Sequence, residues 1–394
     1  MVSKRMEELI KSSSAIRAMF IEGKQMALKY GSENVFDFSL GNPSVDAPSV
    51  IKDSISDVLR NEKPTTIHGY MENAGFVDVR TKIAEATNKE FGTNFTDRNV
   101  IMTVGAAGAL NIVFKTILDP GDEVIALAPY FPEYRHYVEN HAGTLTVIPT
   151  GDGFLPDFDI LAQNLSPKTR AVIINTPNNP TGVVYNDQTL RALADVLEAH
   201  ETRIGRSVYL VSDEPYRKII YNDVFVPYVS KFYKNTFVAY SFSKSLSLPG
   251  ERIGYLITPT EMECFETIID GLSVANRILG FVNAPSLFQK IAAACVDINA
   301  DFSVYRHNRE LLYNALTSIG YECVKPEGAF YLFTKSLETD DTNFCREAKK
   351  YNLLVVPGRA FGGPGYFRAA YCVSERVVSE SLDRFEALYK QYRA

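Results

Sequence analysis

The sequence has 394 residues, which is enough for more than one hydrophobic core, so we expect two structural units. Its 46% hydrophobic and 22% charged residues are typical of a globular chain, and a net charge of −6 provides no basic excess for nucleic acid or an anionic membrane. We therefore expect small-molecule chemistry, with no nucleic-acid and no membrane partner.

The first residues, MVSKRMEELIKSSS, carry charges where a signal peptide needs an apolar core, and no apolar run reaches the length of a membrane span. These features predict a cytoplasmic protein. The five cysteines include no CxxC pair and the five histidines no HExxH pattern, so we predict neither a disulfide framework nor a metal site.

The N-terminal region has helical character over residues 4–30, interrupted near the serines at 12–14. A short extended run at 36–40 then ends in the turn that begins with Gly41, and a helix is predicted at 48–60. We interpret the first part as an N-terminal arm.

From residue 100 the pattern alternates between strands and helices. Strands are predicted at 100–103, 123–127, 145–148, 171–174, 207–212, 236–240 and 253–257, and helices at 106–118 and 187–200. Strands separated by helices form a mostly parallel sheet covered on both faces. The central region is therefore predicted to be an α/β domain.

After residue 270 the pattern changes. A long helical segment is predicted up to about residue 318, followed by strands at 329–333, 353–356 and 366–372 between helices. This pattern indicates a smaller α+β unit. We divide the chain into an arm with part of the small domain (1–45), a large domain (46–285) and a C-terminal small domain (286–394).

Three loops at the predicted strand ends contain residues suited to a ligand. Gly105, Ala106 and Ala107 open a helix whose N-H groups can bind an anion, although a close-packed turn explains these small residues equally well. Phe131 either stacks on a flat ring or closes the core. Asn179 lies in a rigid turn rich in proline and asparagine.

Asp213 is predicted at the end of a buried strand, with Tyr216 three residues later. A buried carboxylate needs a cationic partner, such as a protonated ring nitrogen, unless Asp213 only caps a helix. Lys244 follows the next strand, so both residues should reach one edge of the sheet. Residues suited to a phosphate surround this lysine in sequence: Ser241, Ser243 and Arg252.

Arg368 stands between apolar neighbours in a strand-like run, where it requires an anion. It is either a carboxylate clamp or part of a structural ion pair. Together these residues describe a ligand with a phosphate, a heterocycle with a basic nitrogen, a phenolic oxygen and an amine-reactive aldehyde. That ligand is pyridoxal 5′-phosphate (PLP).

Over nearly its full length the chain resembles the fold-type I PLP-dependent aminotransferases of class I/II, which include the aspartate and alanine aminotransferases. The resemblance is carried by NPTG at 179–182, D-x-x-Y at 213–216, and S-x-x-K at 241–244 with an arginine eight residues later. It implies a large domain with a mostly parallel seven-stranded sheet between helices, and a smaller α+β domain.

The resemblance also implies roles for single residues. Lys244 forms the internal aldimine and moves the proton between Cα and C4′, while Asp213 holds the ring nitrogen protonated. Tyr216 and Asn179 contact the phenolic oxygen. The other implied contacts are Phe131 stacking on the ring, the cofactor-binding set Gly105, Ala106, Ala107, Ser241, Ser243 and Arg252, and the substrate carboxylate held by Arg368 with Asn179 and Gly41.

Two residues resemble ones that act across a homodimer. Tyr70 is similar to the tyrosine that reaches the phosphate of the neighbouring subunit. Arg277 precedes an Asn-x-Pro at 283–285 and resembles a substrate-binding arginine from the partner, but its spacing differs by about one residue and a surface arginine explains it better. One bacterial branch binds the distal carboxylate of its substrate with a lysine where Ala107 stands here. The sequence therefore does not predict a preference for dicarboxylate substrates.

The implied function is transfer of an amino group from an L-amino acid to a 2-oxo acid, with 2-oxoglutarate as the expected acceptor, by a ping-pong mechanism. One alternative is a β-lyase or decarboxylase of the same fold, since these share the lysine and the aspartate. A remote alternative is a non-catalytic PLP-sensing regulator. The segment before Gly41 is too short for the DNA-binding module that such a regulator needs.

Overall fold

The computed structural model describes residues 2–11 and 15–393, so the expected interruption at 12–14 lies outside the described residues. The helices are α1 (Lys4–Lys11), α2 (Ala15–Tyr30), α3 (Val50–Asn61), α4 (Pro64–Ile67), α5 (Val77–Phe91), α6 (Gly105–Ile117), α7 (Glu133–Glu139), α8 (Phe158–Asn164), α9 (Asp187–Ile204), α10 (Phe242–Ser245), α11 (Phe265–Ile278), α12 (Ser286–Ala294), α13 (Ser303–Ile319), α14 (Asp341–Lys349) and α15 (Glu375–Arg393). The strands are β1 (Phe36–Asp37), β2 (Val100–Thr103), β3 (Glu123–Ala128), β4 (Thr144–Pro149), β5 (Thr169–Asn175), β6 (Tyr209–Asp213), β7 (Thr236–Ser241), β8 (Gly254–Ile257), β9 (Tyr331–Lys335), β10 (Leu353–Leu354), β11 (Val356–Pro357) and β12 (Tyr366–Ala370).

Seven strands form the central sheet in the order β2-β8-β7-β6-β5-β3-β4. Only β8 runs against its neighbours, pairing antiparallel with both β2 and β7, and the other pairs are parallel. The predicted mostly parallel seven-stranded sheet is therefore confirmed. Because β2, β3, β5, β6 and β7 point the same way, their carboxyl ends meet at one edge.

Both faces of this sheet are buried, as the nearly continuous apolar strands require. Val124 and Ala126 of β3 face α6 and α11, whereas Ile125 and Leu127 of the same strand face α8 and α9. Near β2 and β8 the second face is covered by α3, α5 and α12. The alternation along each strand thus fixes helices on both sides and leaves the strand ends open for chemistry.

The smaller α+β part is built around the antiparallel sheet β11-β12-β9, which packs with α13, α14 and α15. The N-terminal segment joins it, because β1 pairs in parallel with β10 and the Phe38 carbonyl accepts a hydrogen bond from the Ala370 amide. Among the described residues no helix is long and apolar enough to cross a membrane. The boundaries at residues 45 and 285 stay predictions.

We predicted one long helical segment from about residue 270 to residue 318, and its continuity was wrong. The chain forms three helices there, α11, α12 and α13. Gly280 adopts a left-handed conformation (φ 84°) after α11, Pro285 immediately precedes α12, and the Asp301 carboxylate accepts a hydrogen bond from the Ser303 amide at the start of α13. Helix α5, covering residues 77–91, was not predicted.

Candidate active site

A cavity of about 320 Å³ lies at the carboxyl edge of the large sheet. It is bounded by the ends of the strands, by the N-terminal segment near Gly41 and by the small sheet. Its lining comprises Leu40, Gly41, Ala106, Ala107, Leu110, Phe131, Tyr137, Asn175, Asn179, Asp213, Pro215, Tyr216, Ser241, Ser243, Lys244, Pro249, Arg252, Tyr331 and Arg368. Most of the predicted site residues thus meet in one place.

Asp213 is the last residue of β6 and is 5% exposed. Its Oδ2 accepts a hydrogen bond from the Tyr134 hydroxyl at 2.6 Å, while its Oδ1 is buried without a partner. Burial raises the pKa of Asp213 to about 7, although the Tyr134 hydrogen bond lowers it. Its carboxylate bonds a side chain and the chain after it forms turns, so the helix-cap interpretation fails.

Lys244 lies in the short helix α10, which follows β7 directly. Its Nζ donates a hydrogen bond to the Gly41 carbonyl at 2.8 Å. Burial lowers the pKa of Lys244 to about 8, and the nearby Arg252 and Arg368 guanidinium groups lower it further, against an opposing effect of Cys372. The site therefore contains an amine that loses its proton more readily than an ordinary lysine.

Arg368 projects from β12 and is 2% exposed. Its Nη1 donates to Asn179 Oδ1 at 3.1 Å and its Nη2 to the Ser39 carbonyl at 2.6 Å, while its Nε is buried without a partner. No carboxylate in the described part of the chain is among its partners, and burial lowers its pKa. Such a cation requires an external anion, so the structural ion-pair alternative is not supported.

Hydroxyl and guanidinium donors gather beside α6. Ser241 and Ser243 hydroxyls are 2.8 Å apart, and Arg252 Nη1 lies 3.4 Å from the Ser243 hydroxyl and 2.9 Å from the Pro249 carbonyl. Gly105 begins α6 with φ 78°, and a Cβ there would lie 2.7 Å from Arg252 Nη2. Glycine is therefore needed for the guanidinium to cross the helix N-terminus. Gly105 itself does not line the cavity, unlike Ala106 and Ala107.

Phe131 follows β3 and lines the cavity, with its ring edge-on to that of Tyr134 at 5.6 Å between centroids. On the other side Tyr216 is buried, and its hydroxyl lies 2.8 Å from the Tyr331 hydroxyl. Both ring positions predicted to contact a flat ligand are therefore inside the cavity. Tyr331 belongs to the small sheet and Tyr216 to the turn after β6, so this pair of phenols connects the small sheet to a loop at the edge of the large sheet.

Tyr70 and Arg277 do not line the cavity, and both are exposed, Tyr70 to 95%. Their two segments contact each other: Asn276 Nδ2 donates to the Asn73 carbonyl at 2.7 Å, and Asn73 Nδ2 to the Val282 carbonyl at 2.6 Å. These two residues thus lie in one surface region that the folded chain holds in place.

Three contributors to the site were not predicted as site residues: Asn175, Tyr134 and Tyr331. Asn175 ends β5, donates to the Asp213 carbonyl at 2.7 Å and accepts from the Asn179 amide at 2.6 Å, so it orders two site segments at once. Its position at the end of a strand could have identified it as a site residue. Tyr134 lies three residues after Phe131 on α7, but nothing in its local sequence points to Asp213.

The site combines an amine of lowered pKa, a carboxylate oxygen that lacks a partner, a buried guanidinium and a group of phosphate-type donors. This set of groups can hold an anionic ring compound, neutralise a ring cation and transfer a proton next to a bound carboxylate.

Residues 33–385 match the family model described as aminotransferase class I and II. The chain is similar to the crystal structure of an aminotransferase from Eubacterium rectale, with 44% identity, full coverage of both chains and a TM-score of 0.97. It is 31% identical to the aspartate/prephenate aminotransferase of Thermus thermophilus, covering 93% of this chain and 94% of the relative. An aspartate aminotransferase of Thermotoga maritima is also 31% identical, with 98% of each chain covered. The chain therefore belongs to the class I and II aminotransferases, PLP-dependent transaminases that act on amino acids and 2-oxo acids.

Proposed function

We propose that this enzyme transfers the amino group of an L-amino acid to 2-oxoglutarate in a ping-pong cycle centred on Lys244. The proposal rests on three polar side chains that line one cavity. Lys244 has a lowered pKa, Asp213 has a buried oxygen without a partner, and Arg368 is a buried cation with no carboxylate among the described residues. A PLP ring and a substrate carboxylate supply the missing partners.

The residues present fit PLP. The unpartnered Asp213 Oδ1 suits a protonated ring nitrogen, because a buried carboxylate with a pKa near 7 is stabilised by a cation. Arg252 and the Ser241 and Ser243 hydroxyls suit a phosphate dianion, and they lie beside the N-terminus of α6. Ala106 and Ala107 leave this end of the cavity open.

Bound PLP supplies an aldehyde that reacts with amines and a ring that accepts electrons. Lys244 acts as the base and acid at the substrate Cα, and a pKa of about 8 suits it to both roles near neutral pH. The Gly41 carbonyl, 2.8 Å from its Nζ, holds this amine in the cavity. Asp213 keeps its negative charge toward the ring nitrogen, with Tyr134 fixing the carboxylate orientation.

Arg368 binds the substrate. Its planar guanidinium offers paired donors to the α-carboxylate, and the Asn179 and Ser39 oxygens orient it. Burial strengthens this interaction because water screens it poorly. Tyr216 and Asn179, which line the same cavity, would hold the phenolic oxygen of the ring, and Phe131 would cover one of its faces.

We also propose that the working unit is a homodimer. An aromatic side chain that is 95% exposed on an anchored loop, as Tyr70 is, suits insertion into a second copy of the chain. Tyr70 then reaches the partner's phosphate site. Arg277, from the neighbouring segment, is the candidate for binding a distal substrate group, since Ala107 provides no cation.

The test uses purified protein loaded with PLP. Borohydride should fix the cofactor to a peptide that contains Lys244, and amino acids with 2-oxoglutarate should yield glutamate and a new 2-oxo acid in equal amounts. The relatives are named for aspartate and prephenate, so the panel of donors includes aspartate and the aromatic amino acids. Pyruvate with ammonia, or CO₂, would instead indicate a lyase or a decarboxylase.

Lys244→Ala should lose the borohydride-fixed cofactor and at least about 100-fold in rate, the lower range for a general acid-base group. Lys231→Ala is the matched control, because Lys231 Nζ also donates to a backbone carbonyl, that of Phe91, outside the cavity. Full activity in Lys244→Ala would overturn the proposal.

A further inference from the structure

Tyr331 contacts two of the groups assigned above. Its hydroxyl lies 2.8 Å from the Tyr216 hydroxyl, and the two rings meet edge to face at 5.6 Å. Tyr331 is 2% exposed, so this contact is shielded from water. Tyr331 lies in β9 and Tyr216 in the turn after β6, so the pair joins the small sheet to a loop at the carboxyl edge of the large sheet.

The ring of Tyr331 makes the second contact. The Arg368 guanidinium carbon lies 4.6 Å from the ring centroid, a cation-π distance. The register of β9 and β12 places Tyr331 opposite Ala370, two residues from Arg368, so the two side chains are diagonal neighbours on one face. A phenylalanine, Phe361, lies near the same guanidinium at 4.7 Å.

The hydroxyl of Tyr331 also packs against the backbone of Gly41. A Cβ at Gly41 would lie 2.1 Å from this oxygen, so only glycine allows the close approach. The Gly41 carbonyl is the acceptor for Lys244. Tyr331 thus adjoins the groups that serve the ring oxygen, the substrate carboxylate and the reactive amine.

We propose, resting on the function proposed above, that Tyr331 is a positioning residue with two roles. Its hydroxyl donates to Tyr216, so that the single Tyr216 proton is directed to the phenolic oxygen of PLP. Its ring holds the Arg368 guanidinium in the orientation that binds the substrate carboxylate.

The first role follows from the number of protons that the two phenols can donate. Each phenol has one proton to donate, so in a pair of phenols only one can donate to the other. Once Tyr216 donates to an anionic ring oxygen, its own oxygen can only accept, and Tyr331 becomes the donor. The donors then form a chain, Tyr331 to Tyr216 to the ring oxygen, in which each bond polarises the next.

Both phenols keep their protons in the working pH range. Burial raises the pKa of Tyr331 to about 12, and burial together with Tyr331 raises that of Tyr216 well above 10.0. The titratable and charged groups that face the pair are Asp213, Tyr134, Arg368 and Cys372.

The experiment measures the pH midpoint at which the absorbance of the enzyme-bound cofactor changes. A hydrogen bond to an anionic oxygen favours its unprotonated form. Tyr331→Phe weakens the bond from Tyr216 to the ring oxygen without removing it, so the midpoint should rise by about 0.1 to 0.3 pH unit, the cooperative share of a hydrogen bond worth about one pH unit. The KM for the amino acid should change little, because the ring remains on Arg368.

Tyr331→Leu removes the ring as well. It should shift the midpoint as Tyr331→Phe does and also raise KM by about 30-fold, the equivalent of one buried cation-π contact. The matched control is Tyr221→Phe. Tyr221 is buried in the same core cluster, and its hydroxyl donates to the Ala329 carbonyl at 2.7 Å, so the control loses one buried hydroxyl outside the cavity.

Equal midpoints for Tyr331→Phe, Tyr221→Phe and wild type would overturn the first role. Equal KM values for Tyr331→Phe and Tyr331→Leu would overturn the second. In either case a normal cofactor spectrum in the wild type leaves the aminotransferase proposal intact. A wild type that binds no cofactor would instead refute the proposed function, and this inference with it.

Discussion

Replacing Asp213 by asparagine should stabilise the cofactor-free protein at high pH while it impairs catalysis. The carboxyl has a pKa of about 7 in the folded chain instead of its usual 3.8. Between these values the folded state binds a proton that the unfolded chain has released, so stability falls as the pH rises. The stabilisation is complete below about pH 4 and lost above about pH 7, which over about 3 pH units at 1.36 kcal/mol each amounts to about 4 kcal/mol.

The assay is urea unfolding of cofactor-free wild type and Asp213→Asn at pH 5 and pH 8. The asparagine cannot titrate, so the difference in the free energy of unfolding should shift in favour of the variant by about 3 kcal/mol between these two pH values. Lys244 and Glu214 titrate in both proteins, and their contributions largely cancel in the difference. Saturating PLP should remove the contribution of Asp213 to this pH dependence, because the ring nitrogen provides the missing cation.

A stability difference that is the same at pH 5 and pH 8 would refute this reasoning. It would mean that Asp213 is ionised in the cofactor-free fold and already has a partner. Tyr134→Phe is an independent check, since the loss of its hydrogen bond at 2.6 Å should raise the pKa of Asp213 and extend the pH dependence upward.

Two further substitutions test the ends of the cavity. Arg368→Gln should lower kcat/KM for the amino acid by about 100- to 1,000-fold, equal to about 3 to 4 kcal/mol, and Arg368→Lys should recover only part of it because the paired donors are lost. An unchanged kcat/KM in Arg368→Gln would mean that another residue binds the substrate carboxylate. Gly105→Ala should weaken PLP binding about tenfold, since its φ of 78° is strained for alanine and its Cβ displaces Arg252. The control Gly250→Ala meets no atom within 4 Å and should bind PLP as the wild type does.

The large sheet was predictable because its strands are buried on both faces and read as short apolar runs between helices. The region after residue 270 was harder, because the breaks between its helices depend on Gly280, Pro285 and the Asp301 cap, which interrupt an otherwise helical pattern. The small sheet was placed to within a few residues, yet its pairing with β1 depends on contacts between opposite ends of the chain.

Site residues at strand ends were predictable for the same reason: Asp213 and Lys244 follow apolar runs, and parallel strands bring such ends together. Tyr331 was not, because a tyrosine in an apolar strand is indistinguishable in sequence from a core residue. Its role depends on a partner, Tyr216, in the turn after β6. The proposed roles of Tyr70 and Arg277 require a second copy of the chain, so they stay predictions.

The pairing of Phe36 with Leu353 has a consequence for synthesis of the chain. The segment that supplies the Ser39 carbonyl to Arg368 is made 329 residues before that arginine. Until then Phe36 and Phe38, both buried in the finished protein, have no core to enter. The large sheet can form before β12 is made, whereas the active site is complete only once β12 supplies Arg368. Truncation just before β12 removes this arginine and part of the small-domain core, so it should leave an inactive chain with an exposed apolar N-terminal segment.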